Sequence, residues 1–371
     1  MKRTTIFLAA IALVAASCTK TEVVSDKTQD SVKGIGFSAY TSRPTKAAQE
    51  DVTTANLSSF KVTAIGNTNN ITLFEDITFS HVNTGDPWVS DPIYFWPNYA
   101  LDFYAYNTPT PGNGTLDKNA VASEKKLTFT PSTDISKQED LVAAYVENKT
   151  DPGAPIDITF HHYLTQVIVK AKNSSTSYTV EVDGVKLANF KKQGTYTFTD
   201  NKMTAEGEPI NYYATFNSAT LTDTESEMMT NGNDGKWYLV PQTVTSWVRT
   251  TEPADMENAS KGTYLGLKVK ITAPNGLVIY PATATGTGTA WMAVEIPESL
   301  KFEQGKKYIV ILDFFSSTGK GAGYVDPEEP GDLDGDGNAN NDKGKAIVGG
   351  AIQFDARVDV WPTETVITIP L

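Results

Sequence analysis

Asp332, Asp334 and Asp336 stand at alternate positions and are followed by Gly337, the pattern D-x-D-x-D-G. This is how a calcium loop opens: oxygen ligands at alternate positions surround a hard cation, and glycine permits the sharp turn. Asn338 and Asn340 would complete the ligand set. The twelfth position, however, is Lys343 rather than Glu, with Asp342 one residue early. The run therefore reads either as a calcium site or as a solvated acidic loop. His161 and His162 are adjacent in a strand-like segment, so their side chains point to opposite faces and do not readily share a metal. His81 is isolated among turn residues, and with no H-x-x-x-H or cysteine partner all three histidines read as packing or surface residues. Ser316 to Gly321 (SSTGKG) resembles a phosphate loop, but Phe314 occupies the place of the first glycine and Gly321 that of the Ser or Thr. With 44 Asp and Glu residues a glycosidase-like carboxylate pair is conceivable, yet nothing singles one out. Among the tryptophans, Trp247 lies in the polar run VTSWVRTTE and is expected to be the exposed one, a candidate sugar-stacking platform.

Cys18 is the only cysteine, which excludes an internal disulfide, a zinc cluster and paired-thiol chemistry. Its chemistry is read from what precedes it. Residues 1–17 have the form of a secretory signal: Lys2 and Arg3, an apolar run from Ile6 to Ala16, and small residues at the end. That run is shorter than the roughly 20 apolar residues a membrane-spanning helix needs. Small residues leading into Cys18 resemble a lipobox, in which the cysteine is lipidated and becomes the first residue of the mature chain. The other reading is an ordinary cleaved signal beside an incidental cysteine.

The elements that must position these groups are strands. Thr, Val, Tyr and Phe are plentiful, Gly and Pro recur, and long 3.6-period apolar stripes are missing, the profile of an all-β chain. A formal charge of -13 argues against nucleic acid, which needs a basic footprint. Residues 18–33 are polar and aperiodic, a tether. Gly34 to Tyr40 (GIGFSAY) alternates Ile35, Phe37 and Ala39 against Gly36, Ser38 and Tyr40, a short strand with one face to bury. Thr41 to Asp51 is polar, proline-broken and basic at its centre (Arg43, Lys46), an exposed loop of the kind proteases nick.

Short strands separated by turn clusters follow from Leu57 and favour sandwiches over βαβ units. Asn148 to Pro155 (NKTDPGAP) is the expected domain boundary, giving an N-terminal sandwich over 34–150 and a C-terminal one over 151–371. Ile93 to Trp96 is expected to be a strand. The runs 201–233 and 315–350 are expected to be long surface loops. After the last strong strand, which ends in Val358-Asp359-Val360, Trp361-Pro362 breaks the pattern. Thr363 to Leu371 (TETVITIPL) then alternates again with Ile367, Ile369 and Leu371 on one side. Such a strand folds back on its own domain or enters another subunit by strand addition.

Taken as an ordered set, IGFSAYTSRPTKA, YFWPNYALDFYAYNTP, QEDLVAAY, ITFHHYLTQVIVKA, WYLVPQ and VDVW resemble the fimbrillin-like (Mfa-like) adhesins, pilus subunits and relatives of Gram-negative gut and oral bacteria. The resemblance implies two transthyretin-like β-sandwich domains in tandem and no enzymatic activity. It also implies a lipid anchor in the outer membrane and assembly with other fimbrial subunits at the cell surface, where the adhesion ligand is not specified. In such families the precursor is cut after a basic residue, the first strand is lost, and the next subunit's strand fills the groove. Carried onto this chain, the displaced strand is Ile35, Phe37 and Ala39, and the donor strand is Ile367, Ile369 and Leu371. The processing site is Lys46 rather than Arg43, because Pro44 follows Arg43 and X-Pro bonds resist most proteases. Two other readings stay open: a monomeric glycan-binding surface lipoprotein, and an extracellular hydrolase.

Overall fold

A computed structural model of the chain describes residues 34–41, 52, 56–83, 85–227, 235–248, 262–281, 288–317, 321–323, 346–349, 352–360 and 363–369. They build an all-β molecule from two sheet systems. The first begins with β1 (Gly36–Thr41), β2 (Ser59–Gly66), β3 (Thr72–Ser80), β4 (Trp88–Ser90) and β5 (Leu101–Tyr106). After the hairpin β6 (Gly114–Asp117) and β7 (Lys126–Pro131), the chain returns as β8 (Val142–Lys149) and β9 (Ile156–His162). The order β1-β4-β3-β2-β5-β8-β9 closes into a barrel because β1 pairs with β9. That closing contact is parallel, whereas the other pairings in the barrel are antiparallel.

Period-two alternation explains how these strands bury a core. In β9, Ile156, Ile158, Phe160 and His162 are buried while Asp157, Thr159 and His161 are exposed, so the two histidines do point to opposite faces. β5 is buried on both faces. Leu101, Phe103 and Ala105 join the barrel core; Tyr104 and Tyr106 belong to a separate aromatic cluster with Leu127, Phe129, Tyr163, Tyr196 and Phe198.

The second system comprises β10 (Thr165–Asn173), β11 (Thr179–Thr197), β12 (Lys202–Thr220), β13 (Ser226–Glu227), β14 (Lys236–Leu239), β15 (Gln242–Thr243), β16 (Tyr264–Thr272), β17 (Val278–Tyr280) and β18 (Ala290–Glu295). It continues with β19 (Lys301–Phe302), β20 (Lys306–Phe314), β21 (Gly321–Gly323), β22 (Ala346–Gly349), β23 (Ile352–Val360) and β24 (Thr363–Ile369). One sheet runs β13-β10-β20-β23-β24 with β14 beside β10. The larger runs β22-β21-β18-β16-β11-β7-β6 with β12 and β17 attached. Val167, Val169, Tyr308 and Val310 of the first share one buried cluster with Val180, Val182, Leu267 and Met292 of the second.

Several sequence expectations are corrected. Residues 148–155 do not separate the two systems: they run from the end of β8 to the start of β9, two strands that pair with each other inside the barrel. The passage to the second system comes at Tyr163 and Leu164, between β9 and β10. An Asp-Pro-Gly turn between adjacent strands has the same composition as a linker, so composition could not tell them apart. The hairpin β6-β7 also belongs to the larger sheet of the second system. Much of 201–233 is not a loop, since β12 pairs along β11 from Lys202 to Thr220. It read as a loop because it is an edge strand, mostly exposed and protected by charge, Pro209 and register shifts. Within 315–350, β21 and β22 form a ladder. Ile93 to Trp96 makes no strand: Pro92 and Pro97 bracket it, and Ile93 and Phe95 are exposed.

Candidate functional site

The residues predicted to form a displaceable strand lie where such a strand would matter most. β1 is the stave that closes the barrel, held on one edge by β9 from Phe37↔Ile156 to Thr41↔Phe160 and on the other by β4 through Gly36↔Val89 and Phe37↔Trp88. The Ile35 amide donates to the Tyr94 carbonyl at 2.7 Å. Ile35 and Phe37 are fully buried and Ala39 packs against the same core. The Phe37 ring stands edge-on to Phe79 at 5.0 Å, Phe103 at 5.3 Å and Phe60 at 6.0 Å. Edge-to-face packing of this kind adds about 0.5–1.5 kcal/mol per pair beyond area burial. Gly36 faces the opposite way, where a Cβ would lie 3.3 Å from the Trp88 carbonyl oxygen, so the strand is seated close against β4.

Beyond the basic loop the chain is fastened by a group the sequence did not advertise. The Asp140 carboxylate accepts the Val52 amide at 2.8 Å and contacts His162 Nδ1 at 2.8 Å, with both side chains withdrawn from solvent. A cleft of about 390 Å³ opens beside it, lined by Val52, Asn56, Asn107, Glu139, Asp140 and Tyr238. The inward parity of His162 in ITFHHYL was the available signal; its partner, 22 residues earlier in sequence order, had none.

The C-terminal strand is described by its backbone. β24 lies at the edge of its sheet, antiparallel to β23 with Val358↔Ile367 and Ala356↔Ile369, so the strand carrying Ile367 and Ile369 folds back on its own system. Leu371 lies outside the described residues, as do Cys18, Arg43, Lys46 and the run Asp332, Asp334, Asp336, Asn338 and Asn340. Among the described residues no group of three or more His, Cys, Asp or Glu is placed to hold a metal. Trp247 overturns its expectation. It is completely buried, with Tyr264 6.1 Å away and Ala188 and Ala293 in the same cluster. A Cβ on Gly262 would fall 2.3 Å from its Cα. The strand pairings around it brought apolar surface to a segment whose local sequence is polar.

An all-β chain whose first sheet is closed by β1, the first strand among the described residues, is the class these observations define. The fimbrillin-like family model matches residues 45–320, and the chain belongs to that family. Membership places it in the fimbrial subunit and adhesin class. Among solved structures it is similar to a proposed cell adhesion protein from Bacteroides eggerthii DSM 20697, with 14% identity, TM-score 0.47 and coverage of 89% of this chain and 96% of that one. It is also similar to a fimbrial assembly protein from Parabacteroides distasonis ATCC 8503, with 8% identity, TM-score 0.39 and coverage of 91% and 99%. A third is the fimbrial anchor protein Mfa2 from Porphyromonas gingivalis, with 12% identity, TM-score 0.33 and coverage of 76% and 91%. No curated protein matches.

Proposed function

We infer that this chain is a non-enzymatic, cell-surface fimbrial subunit or adhesin, exported as a precursor and held in the outer membrane through lipidated Cys18. It is trimmed after Lys46 and joined to other subunits by strand exchange, with the two sheet systems corresponding to the tandem transthyretin-like sandwiches of the family resemblance. One observation carries the reading: β1 is both the barrel's closing stave and the segment directly preceding the basic loop. Losing it would leave β9 and β4 with unpaired backbone and an apolar seat, a template for another strand. The anchored Val52 supports the same reading, because Asp140 holds the downstream side of the loop independently of β1. On the outgoing side, Thr363 to Leu371 is the donor, and the edge position of β24 within it leaves β23 paired to β20 when it departs. Calcium at Asp332, Asp334, Asp336, Asn338 and Asn340 would be an accessory to this role. Isothermal titration of the purified chain with calcium, before and after replacement of the three aspartates, decides that point.

The test is made in the producing bacterium. Unboiled SDS gels of surface material should show this chain in high-mass ladders. These should be lost in a Lys46→Ala, Arg43→Ala double variant and on deletion of residues 363–371. A chain that stays monomeric at the surface, trimmed or not, rejects assembly in favour of the monomeric glycan-binding reading, which has lost Trp247 as its stacking platform.

A further inference from the structure

The seat that β1 occupies has a shape, and that shape is selective. Along β1 the buried face reads large aliphatic (Ile35), aromatic (Phe37), then Ala39 and Thr41, and the tight outward position between the first two is Gly36. The aromatic position is the most demanding, since three phenyl rings within 6.0 Å converge on Phe37. An aliphatic side chain there would leave part of that space empty, and interiors close-packed to the density of organic crystals do not readily collapse around such a void.

The chain's own C-terminal strand, TETVITIPL, contains neither an aromatic residue nor a glycine. In the frame that best matches its apolar positions, Ile367 replaces Ile35 and Ile369 replaces Phe37. Thr368 then takes the place of Gly36, where even a bare Cβ comes within 3.3 Å of the Trp88 carbonyl oxygen. The nearest aromatic, Trp361, is followed by Pro362 and preceded at two residues by Asp359, a carboxylate in the position of fully buried Ile35. Using that frame would also pull Asp359 away from its pairing with Lys307 in β20.

We propose that, given the strand-exchange reading above, the seat of β1 rejects a second copy of this chain as donor. It accepts a strand from a subunit of different sequence, one carrying large aliphatic, glycine or a similarly small residue, and aromatic in succession, followed by small residues at the next inward positions. Phe60, Phe79 and Phe103 are the specificity-determining residues of the acceptor, and Trp88 sets the limit at the glycine position. The chain is on this account an obligate hetero-partner on its acceptor side.

The full-length protein is nicked in the loop after β1 with limited trypsin, leaving β1 seated without its downstream covalent link. It is then incubated near its unfolding midpoint with excess labelled nonapeptides: residues 34–42, the same peptide with Phe37→Ile, and residues 363–371. Incorporation is read by native mass spectrometry, with un-nicked protein as the control. The expected result is uptake of the 34–42 peptide, uptake weaker by about tenfold or more for the Phe37→Ile peptide, and none for 363–371. Uptake of 363–371 equal to that of 34–42 would overturn the selectivity while leaving strand exchange intact. Failure of all three peptides to enter nicked protein would overturn strand exchange itself, and the proposal with it.

Discussion

Phe37 is surrounded by rings at 5.0–6.0 Å and has no exposed surface, so its truncation removes both area and edge-to-face contacts. Phe37→Ala should cost about 3–5 kcal/mol, the range for large-to-small changes at aromatic core positions, measured by urea unfolding of the untrimmed chain. Asp140 is a different kind of residue. Its carboxylate is buried, accepts the Val52 amide and lies 2.8 Å from His162 Nδ1, so Asp140→Ala removes the acceptor of that amide. Leaving that amide without its acceptor should cost about 1–3 kcal/mol. It should also free the segment at Val52, seen as faster amide exchange there and as protease cuts downstream of the basic loop. Asp76 is a third convergence point, accepting from the Tyr106 hydroxyl at 2.9 Å and from Lys118, yet it sits nearer the surface, and screening makes its ion pairs weaker supports.

β1 and β24 are the first and last strands among the described residues, but they are held very differently. β1 has two hydrogen-bonded neighbours and supplies the centre of the barrel core. β24 has one, and β23 keeps β20 without it. Deleting residues 363–371 should therefore shift the urea midpoint of the untrimmed chain far less than deleting residues 34–41, which opens the barrel. Equal losses would contradict the edge position of β24. The same contrast explains what could be read from the sequence. β1 was legible because Ile35, Phe37 and Ala39 alternate cleanly between a polar tether and a polar loop. β23 and β24 were legible for the same reason. The parallel pairing of β1 with β9 was not, because nothing in a strand's own pattern names its neighbour. β12 was hidden by the exposure that comes with being an edge strand, and the 148–155 boundary was a hairpin with a linker's composition. Trp247 was misjudged because local polarity says nothing about the strands that later cover a residue.

For the molecule as a whole, the tyrosines provide a test of how tightly the two systems are joined. Tyr104, Tyr106, Tyr163 and Tyr196 lie in the aromatic cluster that spans residues of the barrel and of β11, while Tyr212 and Tyr308 lie in the second core. Burial holds the phenols of all six above their ordinary ionisation range. For Tyr104, Tyr106, Tyr163 and Tyr308, neighbouring carboxylates push in the same direction. Tyr308 is raised to about 12, through burial first, the amide of Glu303 acting against it and that residue's carboxylate with it. A phenol whose folded value exceeds its unfolded value near 10 contributes stability that is complete below pH 10 and lost as pH rises through the folded value. Stability should thus be insensitive to tyrosine up to about pH 10 and should fall steeply above it as the unfolded chain ionises. Because the shared cluster couples the two systems, phenolate absorbance and loss of far-ultraviolet β signal should rise together in one transition. Two separated transitions, one for each system, would mean that the aromatic cluster does not bind barrel and sandwich into one cooperative unit.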